Sequence, residues 1–275
     1  MKKVESAKNK KDGVAAFRTF CKKHLAFLIG LGALLVFAAV WEIVAVCMQQ
    51  AWVLPRVEDV LVALGGLLAK PDFYRATGMT LLRSLLGFGI GFVLGVLLGI
   101  LAGVRRGVRA ALQPIVAFLR AAPTMALTLI IMVWFRQAYT PVCIGVLMVF
   151  PIIYATTADS IATADPDLLE MAKVYRMSRK NKLLHIYVPH ATPMILSGAT
   201  TAFALNIKAT VSAEILALTP LSLGTGMKIA KDNFIEDGAA PVFAWLLVAV
   251  LLSVVFELLF KGVHKLLKRR YGNEA

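Results

Sequence analysis

Long apolar runs constrain this sequence more than any other feature, because about 20 apolar residues is the length that crosses a membrane as a helix. Hydrophobic residues make up 59% of the chain and charged residues 17%, whereas soluble domains are about half apolar and a quarter charged. Lipid offers backbone groups no hydrogen-bond partner, so such runs predict helices. The sequence predicts an all-α integral membrane protein with six transmembrane helices, at residues 25–48, 82–104, 112–134, 141–161, 191–217 and 241–261.

Lysine and arginine are distributed unevenly among the segments that connect these spans. They cluster in the tail before the first span, after the second and fourth spans, and in the tail after the sixth. Cations flank membrane spans on the cytoplasmic side, so both termini are predicted to be cytoplasmic. The sequence is accordingly divided into a basic tail at 1–24, one transmembrane domain at 25–265 and a tail at 266–275. This placement accounts for the net charge of +14 without nucleic-acid binding.

Five glycines recur every four residues in the second span: Gly87, Gly91, Gly95, Gly99 and Gly103. At this spacing they form a stripe along one helix face, where a neighbouring backbone can approach closely. Close packing within the chain is the favoured interpretation, and a contact between subunits is the alternative.

Two larger segments, 49–80 and 218–240, lie on the outer side of the predicted topology. Both mix apolar and polar residues in a way that predicts amphipathic helices. They are expected either to form a cap that meets an external partner or to anchor the chain at the membrane interface. Within the second segment, Gly224-Thr225-Gly226 predicts a turn.

The fifth span is the most polar of the six. A rotation of 100° per residue divides its polar residues between two faces: Thr201, Lys208 and Ser212 on one, Asn206, Thr210 and Glu214 on the other. All but Thr210 are candidates for lining a translocation path, because ionisable groups within spans mark such paths. Lys208 is the deeper of the two ionisable groups and the better candidate; an ion pair that fixes helix packing is the alternative. Glu214 is predicted to lie near the outer interface, where a carboxylate costs little.

A compact charged stretch, DPDLLEMAKVYRMSRKNKLLHIYVP at 165–189, separates the fourth span from the fifth. Asp165 followed by Pro166 is typical of a helix N-terminus. A second, basic helix is predicted from about Ser178 and is expected to end at Pro189, before the fifth span begins. The distribution of cations places this stretch in the cytoplasm.

The charged stretch contains a spaced motif. Glu170-Met171-Ala172 is followed after three residues by Arg176, and after nine more by Ile186-Tyr187-Val188-Pro189. The motif resembles the cytoplasmic loop of bacterial ABC importer permeases, whose signature is Glu-Ala-Ala, three residues, Gly, nine residues and Ile-x-Leu-Pro. The likeness extends over about residues 80–265, with Leu119-Arg120, Pro123 and Ala213-Glu214 at familiar places. It is strongest to the branch that handles sulfonates, taurine, nitrate and thiamine-precursor pyrimidines.

The resemblance implies that this chain is one part of a larger assembly. In such permeases the loop forms a coupling helix on an ATPase subunit; the implied coupling residues are Glu170, Met171, Ala172, Arg176, Ser178 and Arg179. The implied assembly is a homodimer in the bacterial inner membrane, with two ABC ATPase subunits and an extracytoplasmic substrate-binding protein. ATP and Mg would bind the ATPase chains, and this chain would hold no cofactor and catalyse no reaction. The implied cargo is a sulfonate, nitrate or similar small anion, or a thiamine-precursor-like pyrimidine.

One position departs from the pattern of that family. Glycine permits a tight turn with positive φ, whereas Arg176 in the left-handed conformation costs on the order of 1 kcal/mol. Either the turn in this chain is a different one, or the arginine adds a contact to the partner.

Motifs for nucleotide binding and hydrolysis are absent from the sequence, which has no G-x-x-x-x-G-K-[ST], no H-E-x-x-H and no G-x-S-x-G. The cysteines form no CxxC pair and the histidines have no ligand spacing, so no metal site is predicted. A stand-alone channel or secondary transporter is the alternative function, but it would be expected to show internal repeats, and the sequence has none. A membrane enzyme would need a catalytic constellation that the sequence lacks.

Overall fold

The structure is a computed structural model that describes residue 25 and residues 28–50 and 52–271. That part of the chain is helical and contains no strand, which confirms the all-α prediction. The helices are α1 (Leu28–Met48), α2 (Val57–Leu68), α3 (Pro71–Val104), α4 (Arg106–Ala121), α5 (Thr124–Trp134), α6 (Thr140–Ala162), α7 (Pro166–Val174), α8 (Arg179–Lys182), a π-helical segment (Leu183–Tyr187), α9 (Val188–Ala217), α10 (Leu223–Asp232), α11 (Phe234–Asp237) and α12 (Ala240–Tyr271). The predicted tail 1–24 and residues 272–275 lie outside the described residues.

Five helices of the described chain are long and apolar enough to cross a membrane: Leu28–Met48, Pro71–Val104, Thr140–Ala162, Arg179–Ala217 and Ala240–Leu259. A sixth crossing is obtained if α4 and α5 together form one broken span. Each of the predicted spans other than the third therefore coincides with one long helix.

The third predicted span, 112–134, is not one continuous helix, because α4 and α5 meet at an angle of 104°. The break lies at Ala122, whose backbone is extended with ψ of 131°, and at Pro123. Proline disfavours the helical conformation of the residue before it, which accounts for the extended backbone at Ala122.

The glycine stripe of α3 packs against α6 within the same chain, as the favoured interpretation predicted. A Cβ atom added at Gly95 would lie 2.7 Å from the Cβ of Ile153, and one added at Gly99 would lie 2.6 Å from the Cβ of Thr157. A Cβ added at Gly87 would lie 2.9 Å from the backbone oxygen of Val142. The absence of side chains at these glycines therefore allows α3 and α6 to approach closely along the stripe.

At the end of the bundle opposite α7, a small cap formed by α2 and α10 covers the helices. As predicted, α2 and α10 are helices; residues 71–80, however, are not a separate outer helix but the start of α3. With 34 residues, α3 is about 51 Å long and extends beyond the roughly 30 Å hydrocarbon layer. An apolar cluster joins the cap to the bundle and includes Leu64, Phe73, Leu223, Met227, Ala230 and Trp245. This packing favours a cap over a loose interfacial anchor.

The charged stretch forms α7, a turn, and then the start of one continuous helix from Arg179 to Ala217. The Asp165 carboxylate accepts a hydrogen bond from the Asp167 N–H at 2.9 Å, as expected of a helix start. The expectation that Pro189 ends the second helix is wrong. The π-helical segment immediately before it, where the Val188 N–H bonds to the Leu183 carbonyl, widens the helix and accommodates the proline without a break.

Candidate functional site

The turn after α7 has the left-handed geometry that glycine usually provides. Arg176 has φ of 47°, its N–H donates to the Lys173 carbonyl at 3.0 Å, and the Met177 N–H donates to the Ala172 carbonyl at 3.0 Å. These two bonds satisfy the last carbonyls of the helix in the pattern known as a Schellman motif. The chain therefore keeps a left-handed turn despite the arginine.

Around this turn the side chains point outwards. Of the six residues implied in coupling, Ala172 is fully buried and the other five are exposed. Sequence reasoning missed two apolar neighbours on the same surface, Val174 and Tyr175, which are 75% and 76% exposed. Large apolar side chains with this exposure beside charged ones are typical of a surface that contacts another protein. The sequence places both residues directly before Arg176, which could have revealed them, but neither is one of the defined positions of the spaced motif.

The polar residues of α9 divide between two faces as helical periodicity predicted. Thr201, Lys208 and Ser212 are exposed, while Asn206, Thr210 and Glu214 are fully buried. The two sets therefore have different surroundings, and only the first faces open space.

Glu214 forms a buried ion pair with Arg83 of α3. Arg83 Nη1 lies 3.2 Å from Glu214 Oε1, and the side chains are 7% and 0% exposed, respectively. Thr80 Oγ1 donates to Glu214 Oε2 at 2.9 Å, and the Gly224 N–H donates to the same oxygen at 3.3 Å. Glu214 lies close to the end of α9, but the start of α10 covers it, so the expectation that its carboxylate costs little is wrong. Gly224 belongs to the first turn of that helix, so the predicted isolated turn is also wrong.

The same arginine holds the loop between α9 and α10. Arg83 Nη2 donates to the Pro220 carbonyl at 3.0 Å and Nη1 to the Leu221 carbonyl at 3.3 Å. Leu218 and Leu221 both have positive φ, at 49° and 52°, which is unfavourable for leucine. Arg83 therefore secures a strained loop. Sequence reasoning missed this role, although an arginine inside a predicted span was the available signal.

Asn206 also belongs to the packed face. Its Nδ2 donates to the Ser84 carbonyl at 2.7 Å, and a Cβ added at Gly145 would lie 2.5 Å from its Oδ1. Asn206 thus lies where α3, α6 and α9 meet. Neither Asn206 nor Glu214 faces the open side of α9, so the structure does not place these two predicted path residues with Lys208.

On the open side of α9, Lys208 lines a cavity of about 280 Å³. The lining is formed by α5, α6 and α9 and includes four polar side chains: Lys208, Ser212, Thr124 and Thr128. Thr124 begins α5 immediately after the helix break, so the break and the lysine border the same space. A second cavity of about 420 Å³ adjoins it along α9, contains Thr201, and shares Leu205 as a lining residue.

Among the described residues, no group of three or more His, Cys, Asp or Glu side chains is arranged to hold a metal ion. The polar groups brought together on the open side of α9 are an ammonium and hydroxyls, which suit the binding of an anion or a polar solute rather than of a metal.

These features define a multi-pass helical membrane protein with an exposed helical turn at one end and a polar cavity beside a broken helix. Residues 95–271 match the family described as the binding-protein-dependent transport system inner membrane component, and the chain belongs to that family. This membership confirms the resemblance found in the sequence.

Named relatives and solved structures agree with this assignment. SsuC of Escherichia coli strain K12, named as an aliphatic sulfonates transport permease protein, is 33% identical over 184 residues, which are 65% of this chain and 69% of SsuC. The riboflavin transport system permease protein RibX of Chloroflexus aurantiacus is 28% identical over 160 residues, 58% of each chain. A bacterial ABC transporter that imports the acidic polysaccharide alginate has a similar fold, with a TM-score of 0.61, 18% identity, and coverage of 86% of this chain and 94% of that chain.

Proposed function

We propose that this chain is the permease subunit of an ATP-driven importer and forms, with a second copy of itself, the path for a small solute. Two ATPase subunits bind at the cytoplasmic side and supply ATP hydrolysis, and an extracytoplasmic protein delivers the solute to the outer cap. Both termini lie in the cytoplasm, and this chain itself holds no cofactor. Family membership and the relatives' names support this proposal.

The observation that carries the coupling role is the exposed turn at the end of α7. It presents apolar side chains, Val174 and Tyr175, together with the charged residues Glu170 and Arg179, outside the transmembrane helices. The Schellman hydrogen bonds fix the turn, so that the surface is preorganised for binding. A preorganised surface with apolar and charged groups fits a docking role on the ATPase.

Two classes of cargo follow from the relatives. SsuC is named for sulfonates, which are anions, and RibX is named for riboflavin, a neutral heterocycle larger than the pyrimidines implied by the resemblance. We propose a small solute of one of these two kinds, a sulfonate, nitrate or similar anion, or a thiamine-precursor-like pyrimidine.

The experiment that tests the proposal is the substitution Glu170→Lys, followed by pull-down of the ATPase and measurement of ATP hydrolysis by the assembled complex. Glu170 is exposed in the first half of α7. Replacing it with lysine would introduce electrostatic repulsion with the part of the ATPase that contacts the glutamate. Removing one partner of an interfacial charged contact costs about 2–5 kcal/mol. ATPase association should therefore weaken by at least about tenfold.

The matched control is Glu236→Lys, the same charge reversal on the exposed helix α11 at the opposite end of the molecule. It should leave ATPase association unchanged. If Glu170→Lys binds the ATPase as well as the control does, the coupling role of this turn is refuted. If the unaltered chain binds no ATPase at all, the proposed function itself fails and a stand-alone transporter is left.

A further inference from the structure

Lys208 is a cation within a membrane-spanning helix and has no ion-pair partner within 4.0 Å among the described residues. It lies four residues from the centre of the predicted span 191–217, which is about 6 Å along the helix axis. Within the described part of the chain it makes no hydrogen bond and no ion pair. A lone lysine at this depth is costly in lipid, so its position requires water, a ligand or a counter-charge.

Among the described residues no carboxylate lies within ion-pair distance of Lys208, and Glu257 of α12 interacts with it only at longer range. The cavity of Lys208 is lined by threonine, serine and apolar side chains and contains no carboxylate. Glu257 lines the adjoining cavity and is already paired with Lys261 at 2.6 Å. The ion pair that was the alternative explanation for Lys208 is therefore not formed within the described chain.

The helix break places polar backbone groups at the wall of this cavity. Pro123 has no N–H, its side chain provides no cap for α5, and the first N–H groups of α5 have no acceptor within the helix. Irregular backbone at membrane depth is tolerated where it lines a water-filled cavity or is buried in protein. Thr124, at this break, lines the cavity of Lys208. The ammonium group is consequently available to a solute that enters from water.

We infer that this cavity is a binding site for a small oxyanion, with Lys208 and the Ser212 hydroxyl as the principal donors. The inference rests on the proposed function and selects the anionic class of cargo. Charge-assisted hydrogen bonds from an ammonium are stronger than those between neutral groups. A volume of about 280 Å³ lies just below the range of cavities that hold drug-sized ligands, so it fits an anion such as nitrate or methanesulfonate with a few waters.

The test uses a cysteine reporter in the complete complex with both ATPase chains, reconstituted into lipid nanodiscs. Cys21, Cys47 and Cys143 are replaced by alanine, and Leu205→Cys places a thiol on the cavity wall without removing a donor. The probe reaction is modification by neutral 2-hydroxyethyl methanethiosulfonate, which requires a thiolate in contact with water. Its rate is measured against increasing methanesulfonate, with gluconate maintaining ionic strength, and separately against uracil, a neutral pyrimidine.

We expect modification to proceed and methanesulfonate to slow it. The Lys208→Met variant should require at least roughly tenfold more methanesulfonate for the same protection, because one charge-assisted donor is lost. Lys208→Arg should retain protection, and Lys231→Met, which removes a cation from the outer helix α10, should not alter it.

Three results would overturn the inference: no modification of the thiol, no protection by methanesulfonate, or equal protection with and without the lysine. Protection by uracil alone would likewise refute an anion site and favour the pyrimidine. ATP hydrolysis is measured on the same samples. If the complex assembles and hydrolyses ATP but shows any of these results, only the anion site is refuted. If the complex fails to assemble, the proposed function is refuted.

Discussion

Replacing Glu214 with glutamine should destabilise the folded protein more than any exposed charge substitution. The substitution keeps the size of the side chain and removes its charge, which leaves the Arg83 guanidinium 7% exposed without a counter-ion. Removing one partner of a buried ion pair commonly costs about 3–5 kcal/mol. Arg83 retains the Pro220 and Leu221 carbonyls as acceptors, so the lower end, about 3 kcal/mol, is expected.

The free energy of unfolding can be measured by titrating the purified protein in mild detergent with sodium dodecyl sulfate and following helicity by circular dichroism. A double-mutant cycle with Arg83→Met isolates the pair. Since the double variant leaves no buried charge unpaired, it should lose less stability than the sum of the single variants, by at least about 1 kcal/mol.

Glu257→Gln provides the matched control. It removes a carboxylate of the same type from an ion pair with Lys261 whose side chains are 41% and 60% exposed, respectively. Exposed pairs contribute about 0–1 kcal/mol, so this variant should be nearly neutral. Equal effects of Glu214→Gln and Glu257→Gln, or additive effects in the cycle, would refute the argument that the buried pair secures the outer loop.

Two further substitutions test the packing of α3 and the turn after α7. Gly95→Ala should destabilise the protein by about 1–3 kcal/mol, because the new Cβ would lie 2.7 Å from the Cβ of Ile153. Gly89→Ala is the control, because a Cβ there has no neighbouring atom within 4 Å; it should be neutral or stabilise the protein by up to about 1 kcal/mol. Equal stability of the two variants would contradict the packing. Arg176→Gly should stabilise the turn by about 1 kcal/mol in thermal unfolding and preserve ATPase pull-down; lost association would show that the arginine side chain itself binds the partner.

Features with a local period were predictable from the sequence. The four-residue spacing of Gly87 through Gly103 fixes one helix face whatever lies opposite, and the structure places α6 there. The placement of Lys208 and Asn206 on different faces of α9 follows from the helical rotation of 100° per residue alone. The conformation of Arg176 was left open by the sequence, because the family's glycine is missing, and the structure gives it the left-handed turn.

Features that depend on distant parts of the chain were not predictable in this way. Arg83 and Glu214 are 131 residues apart, and each alone has the pattern of a charge near a membrane surface. Only the fold of α10 over the end of α9 brings them together and excludes water. Pro123 and Pro189 show the second limit: similar signals gave a 104° break at one and a continuous helix at the other. At Pro189 the preceding π-helical segment keeps the helix continuous. The rule that a proline ends a helix takes no account of such a segment.

That continuous helix determines how the two ends of the molecule are connected. Had Pro189 ended a helix, the coupling surface and α9 would be joined by a hinge, and displacement of one would be absorbed there. Instead, Arg179 of the proposed coupling surface and Lys208 of the cavity lie on one helix, about 44 Å apart along its axis. A helix of this kind moves as a unit when its neighbours allow it. Movement of the ATPase at the turn would therefore reach the wall of the cavity directly, while the buried Arg83–Glu214 pair holds the far end of the same helix against α3.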